Sequence, residues 1–303
     1  MSGRSTVMVR VPGSTSNLGA GFDGLGLALS VYVEVEAELC PAGLRIDAEG
    51  READQIDRGP DNLVYQRLAS VFQERGLPPP AVRLRIRNEI PLIRGLGASG
   101  AATIAGLLAG RALSGADLSH DAILRRAVAA EHHPDNVTPS LVGGFVAMAI
   151  EDGRVHYVRM DAPSELECVL LVPRFGMKTA QARQILPQQV PLRDAVFNLT
   201  RSGLAVAAIC TRRWDLLAVA TQDRLHQPYR EAMFPAMPHV FAAAREAGAY
   251  GAFLSGAGSA ILAFSPPDRA PAVAEAMRQA ATAADVPADT MVVPADNRGA
   301  VLA

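Results

Sequence analysis

The stretch that decides the fold runs from Pro91 to Gly106, PLIRGLGASGAATIAG. It follows a strand-like segment in which Val82, Leu84 and Ile86 alternate with Arg83, Arg85 and Arg87, and it leads into a helical segment reaching about Leu113. Gly95, Gly97, Gly100 and a run of alanines fill the space between. Small residues let a backbone come within hydrogen-bonding distance of a ligand with no side chain in the way. A helix starting near Ala98 turns its unpaired N–H groups, and about half a positive charge, toward the loop. The stretch reads as a phosphate seat.

Working outward toward the N-terminus, Val7, Val9 and Val11 alternate with polar residues, and Pro12-Gly13 is expected to stop that strand. GSTSNLGAGFDGLGLAL follows, at residues 13–29. Leu18, Phe22, Leu25 and Leu27 would anchor this segment to the core while it presents Asn17 and Asp23. Val31 to Leu39 alternates again, as a strand with one wet face. Pro60-Asp61-Asn62 opens a helix over 63–74. Beyond the glycine stretch, a helix over 121–130 leads into EHHPDNVTPSLVGGF, read as a second loop dense in polar residues. The pattern restarts near Pro163. A strand is expected over 166–172 and helices over 192–210, 216–224 and 240–247. Strands over 250–254 and 260–264, a helix over 270–284 and a strand over 290–293 complete the chain. Strands and helices mix without strict alternation, so the reading is α+β with two domains, 1–160 and 161–303.

Composition narrows the function. The 303 residues are 49% hydrophobic and 20% charged, with net charge −2, which gives no field for nucleic acid or an anionic membrane. Cys40, Cys168 and Cys210 are few and far apart, so a disulfide framework is not expected and a reducing cytoplasm fits. The N-terminus lacks the apolar run of a signal peptide, and no stretch is long enough to span a bilayer. Lys178 is the only lysine available to any lysine-based chemistry.

Gly95 to Gly100 matches G-x-G-x-x-G, and so does Gly19 to Gly24. A dinucleotide fold wants the strand to run straight into the first glycine and an acid at the end of the next strand. Here Pro91-Leu-Ile-Arg intervenes, and Asp117 falls among loop residues. No G-K-[ST] exists for a P-loop. Ser99 is open to two readings, a helix N-cap or a hydroxyl ligand to Mg²⁺ beside phosphates, and Glu131 would supply the carboxylate a hard cation wants. His132 and His133 are neighbours without a third ligand, so metal binding there is not expected. His133, Asp135 and Asn136 suit a small polar substrate better. FLSGAGSAI, at residues 253–261, is a third glycine loop.

With these residues in view the chain resembles the GHMP kinases. Three motifs match in order: VPGSTSNLGAGFDGLGLAL, IPLIRGLGASGAATIAG and AYGAFLSGAGSAILAF. Four further stretches, EHHPDNVTPSLVGG, KTAQARQILP, LRDAVFNL and QDRLHQPYR, are similar to the branch whose acceptor is L-homoserine. The resemblance implies a ribosomal-protein-S5-domain-2-like N-terminal domain and a ferredoxin-like α/β-plait C-terminal domain. It also implies ATP with Mg²⁺, a homodimer, and no nucleic-acid or membrane partner. Carried across by position, Asn17, Asp23, His133, Asn136 and Thr179 would hold the substrate, with Arg183 and Arg230 on its carboxylate. Asp23, Asn136, Arg183 and Arg230 would be the catalytic set. Asn62, Pro91, Arg94 and Gly95 through Leu96, Gly97, Ala98 and Ser99 to Gly100 would hold ATP, and Ser99 with Glu131 would hold the metal. The family's double serine is Ala98-Ser99 here, Gly100 stands in place of an alanine, and His132 stands where a glycine is common. Asp23 and Asp135 are the candidate bases. Other acceptors (mevalonate, a sugar, a shikimate-like alcohol), a non-catalytic sensor and a dinucleotide enzyme are the competing readings.

Overall fold

A computed structural model describes residues 5–303. The first sheet grows around two long strands, β1 (Thr6–Ser16) and β2 (Leu25–Leu39), paired antiparallel. Pro12-Gly13 does not end β1 as expected. The ladder shifts register between those residues and the strand runs on to Ser16, a bulge that tolerates a proline lacking an N–H. β3 (Leu44–Gly50), α1 (Leu63–Glu74) and β4 (Val82–Asn88) follow, and β3 lies parallel on the outer edge of β4. Next come α2 (Ala98–Ser114), α3 (His120–Glu131) and α4 (Val137–Val142), then the hairpin β5 (Phe145–Glu151) and β6 (Arg154–Met160). β2 is long enough to serve two neighbours: Val33–Leu39 pairs with β4 and Leu25–Leu27 with β5.

The second sheet starts at β7 (Glu167–Pro173). After it come α5 (Thr179–Gln184), α6 (Leu192–Thr211), α7 (Leu217–Ala220), α8 (Gln227–Arg230) and α9 (Met237–Glu246). β8 (Gly251–Leu254), β9 (Ile261–Ser265), α10 (Ala270–Ala283) and β10 (Ala288–Pro294) complete it, in strand order β10-β7-β9-β8. That antiparallel order, with α9 and α10 on one face, is the α/β plait expected. The chain then returns to the first sheet, where β11 (Val301–Leu302) pairs with β1.

Alternation along the second sheet divides the core. Val169, Leu171, Ile261 and Ala263 face Val240, Val273 and Met277 of α9 and α10. Cys168, Leu170, Leu262 and Phe264 face the other way and join the cluster that includes the first sheet, α2 and Ala205, Ala208 and Ile209 of α6. The two sheets therefore share one continuous apolar core, which holds their loops in fixed relation.

Two expectations about helices change. The polar segment after Glu131 is not all loop, because Val137–Val142 coils into α4. The helix expected over 216–224 stops at Ala220. Asp223 ends it: its carboxylate accepts from the N–H groups of Leu225, His226 and Gln227, so the chain turns there instead of coiling on. No helix among the described residues is long and apolar enough to cross a membrane.

Candidate active site

α2 begins at Ala98, with Gly97 as its N-cap at φ 71° and no side chain capping the helix. Its first N–H groups are therefore left for a ligand. Gly95, at φ 72°, makes the close approach that the loop requires. A Cβ there would lie 2.0 Å from the Ser255 carbonyl, and a Cβ on Gly97 would lie 2.3 Å from Ser14 Oγ. The loop is pinned by its own carbonyls. Leu96 O accepts from Ser14 N, Gly95 O from Ser255 Oγ at 2.7 Å, and Arg94 O from Ala260 N. The first and third glycine loops are joined in turn, since Gly256 N donates to Ser16 O and Asn17 Nδ2 to Gly256 O.

One cavity of 390 Å³ collects the expected residues. Asn17 and Asp23 reach it from the first loop, Pro91 and Arg94 to Gly100 from the second. Glu131, His133 and Asn136 line another side, and Thr179, Arg183 and Arg230 come from the second half of the chain. Asn62 is the exception. It borders an adjoining cavity of 320 Å³ that shares Ile93, Ala98 and Ser99 with the first. There it caps α1, accepting from Tyr65 N and donating to Asp57 O, so its amide is already committed.

Several side chains hold the site together rather than facing an open space. Asn17 Oδ1 accepts from Asp23 N at 3.0 Å, so both ends of that amide tie loops. Asn136 donates to Ser16 Oγ at 2.8 Å and its carbonyls take Ser14 Oγ. The Arg94 guanidinium donates to the carbonyls of Leu92, Pro173 and Arg174, fastening the glycine loop to the end of β7. What Arg94 offers to a phosphate is its backbone. Thr179 is exposed at the start of α5.

The charged groups fall into three sets. Ser99 and Thr103, one helical turn apart on α2, both donate to Glu131 Oε1, at 2.9 and 2.8 Å. These are all oxygen donors with one carboxylate, and no group of three or more acids, histidines or cysteines that could hold a metal exists among the described residues. Such a set fits Mg²⁺, which keeps waters and takes phosphate oxygens rather than a full protein cage. Thr103 was missed from sequence, although its i, i+4 spacing from Ser99 was the available signal.

The second set is His133 with Asp135, Nδ1 donating to Oδ1 at 2.9 Å. Burial pushes the Asp135 carboxyl up, but the His133 hydrogen bond and charge outweigh it and hold the carboxyl below its ordinary value. Burial likewise pushes His133 down, and Asp135 outweighs that and raises it. An acid held ionised in this way is a weak proton acceptor.

The third set is Asp23 with Arg183 and Arg230. Arg183 grips Asp23 through two bonds of 3.0 and 2.6 Å. Arg230 is 2% exposed, and no carboxylate among the described residues contacts it. Burial first, and then the charge of Arg183, lower its pKa to about 10. The two guanidinium groups lie 5.4 Å (Arg183) and 5.7 Å (Arg230) from the centre of the Phe22 ring. The cavity therefore offers backbone amides at one end and, at the other, a carboxylate paired with Arg183 and the unpaired guanidinium of Arg230.

Comparison with known proteins points to one family. The family model described as the GHMP kinases N terminal domain matches residues 62–144, and GHMP kinases C terminal matches 205–283. A homoserine kinase from Carboxydothermus hydrogenoformans is 39% identical, covering 97% of this chain and 96% of its own. One from Synechocystis is 41% identical over 97% of both. The crystal structure of homoserine kinase from Cytophaga hutchinsonii superposes with TM-score 0.88 at 28% identity, covering 100% of this chain and 99% of that one. A mevalonate kinase from L. major, 16% identical with TM-score 0.69, shares the fold.

Proposed function

The chain belongs to the GHMP kinase family, and from that premise we infer its reaction: transfer of the γ-phosphoryl group of ATP to the side-chain hydroxyl of L-homoserine. The product, O-phospho-L-homoserine, leads toward threonine. The observation that carries the choice of acceptor is the Asp23–Arg183–Arg230 set beside the glycine loop, which supplies an acid and two cations for an α-amino acid.

The residues divide the work as follows. The amides of Gly95 to Gly100 and the start of α2 cradle the phosphates, with the base in the adjoining cavity near Asn62. Ser99 and Glu131 would hold Mg²⁺, which when bound would neutralise phosphate charge. Asp23 takes the substrate ammonium. Arg183 and Arg230 take its carboxylate, for which a planar guanidinium fork is suited. His133 and Asn136 close the hydroxyl end and Thr179 the outer side. Phosphoryl transfer asks mainly for positioning and charge neutralisation. Asp135 is held in its ion pair with His133 and Asn136 cannot ionise, so the acceptor proton leaves to phosphate or solvent. We place the domain division near residue 160, the chain in the cytoplasm, and the working form as a homodimer.

A coupled ADP-release assay with L-homoserine tests the reading. The wild type turns over, and Arg183→Ala raises the homoserine KM with the ATP KM unchanged. No turnover by the wild type, or equal losses for both substrates, would count against it.

A further inference from the structure

His226 lies behind the cavity and has no part in the roles above. It is fully buried, and its ring stacks on Phe22 with centroids 5.2 Å apart. Nε2 lies 2.7 Å from the Gly19 carbonyl and Nδ1 lies 3.1 Å from Arg230 Nη1. A carbonyl only accepts and a guanidinium only donates, so the partners force one tautomer: Nε2 carries the hydrogen and Nδ1 the lone pair.

The donors of Arg230 then resolve. Nε donates to Ala182 O at 3.2 Å, and Nη1 donates to Gly256 O at 2.9 Å and to His226 Nδ1. Nη2 has no protein acceptor among the described residues. Every partner that fixes this guanidinium is neutral. A carboxylate in the place of Nδ1 would orient Arg230 equally well, but it would also neutralise the charge and compete with an anionic group arriving from solution.

We propose that His226 is a positioning residue for substrate binding: a neutral acceptor that aims Arg230 at the ligand carboxylate while leaving its charge uncompensated, and that ties this orientation to the Gly19–Asp23 loop. The proposal rests on reading the cavity as the homoserine site. The charged groups around the ring are consistent with a neutral imidazole. Asp223 Oδ2 is 3.5 Å from Nε2 but already accepts from the N–H groups of His226 and Gln227. Asp23 is gripped by Arg183, and Arg230 repels a proton. Burial, the largest effect, pushes the ring below its ordinary pKa.

His226→Asn and His226→Asp have one shape and lose the Gly19 bond alike, and both keep an acceptor near Arg230. They differ in charge. At saturating MgATP, His226→Asp raises the homoserine KM at least about tenfold over His226→Asn, since hydrogen bonds between charged groups are the strong ones. kcat and the ATP KM stay within about threefold between the two variants. Equal homoserine KM values, or a difference confined to kcat, overturn the proposal. A second measurement needs no variant: two-bond ¹H–¹⁵N correlation of the wild type at neutral pH shows a buried histidine protonated at Nε2 alone. An Nδ1–H or doubly protonated ring at His226 overturns the proposal whatever the variants do. Wild-type turnover with homoserine in the same assay separates failure of this inference from failure of the functional reading.

Discussion

Asp23→Asn separates substrate binding from base catalysis. Arg183 Nη1 and Nη2 hold the two carboxylate oxygens at 3.0 and 2.6 Å, and the two side chains are about one-third exposed. Without substrate, each satisfies the other. Homoserine brings one charge of each sign, so in the proposed binding mode its ammonium would replace Arg183 on Asp23 while its carboxylate would replace Asp23 on Arg183. A pair exposed to this extent contributes at most about 1 kcal/mol to stability, so the variant should fold. Removing the charge costs the ammonium a charge-assisted bond, about 1.5–3 kcal/mol, or about 10- to 150-fold in homoserine KM. Arg183, released from Asp23, binds the substrate carboxylate more freely and offsets part of this, so the expected rise lies nearer the lower bound. kcat should stay within a few-fold, and the ATP KM should not move. The assay is steady-state ADP release with homoserine varied at saturating MgATP. If Asp23 were the general base, kcat would instead fall by about 10²- to 10⁴-fold with KM spared, which would rule out a purely binding role for its carboxylate.

Two other perturbations follow from the geometry. Gly97→Ala places a Cβ 2.3 Å from Ser14 Oγ at φ 71°, so it should destabilise by about 2 kcal/mol or more and raise the ATP KM above any change for homoserine; thermal unfolding and the same assay check it. His133 has its pKa raised and Asp135 its pKa lowered in the folded chain. The His133 contribution is complete below the ordinary imidazole pKa and is lost as pH rises through the raised one, while that of Asp135 is present above the ordinary carboxylate pKa and is lost as pH falls. His133→Gln should therefore cost more stability near about pH 5.5 than near about pH 9 in denaturant unfolding, and equal losses at both would contradict the pairing.

What was legible in the sequence was local. The apolar stripe of Leu63–Glu74 and the cap at Asn62 gave α1 to the residue, and the small-residue run after Gly97 gave the start of α2. The three loops were legible as glycine loops, but their mutual contacts were not, because those join residues far apart in the chain: Asn17 to Gly256, Asn136 to Ser16, Ser255 to Gly95. β3 buries only Ile46 and alternates weakly, so nothing marked it. The β5–β6 hairpin does carry a local signal, Asp152-Gly153, both at positive φ as a tight hairpin turn requires. Arg94 and Asn62 have the residue types of ligand contacts, yet the folded chain uses both side chains on its own backbone. Thr103 and His226 act only through Glu131 and Arg230, and a one-dimensional motif does not reveal that kind of support.

The central claim is the acceptor. ³¹P NMR of a reaction containing MgATP with equimolar L-homoserine and mevalonate reports it directly, because each phosphoryl product has its own resonance. O-Phospho-L-homoserine is expected to form in step with ADP. Phosphomevalonate as the product, or ADP with inorganic phosphate alone, would contradict it.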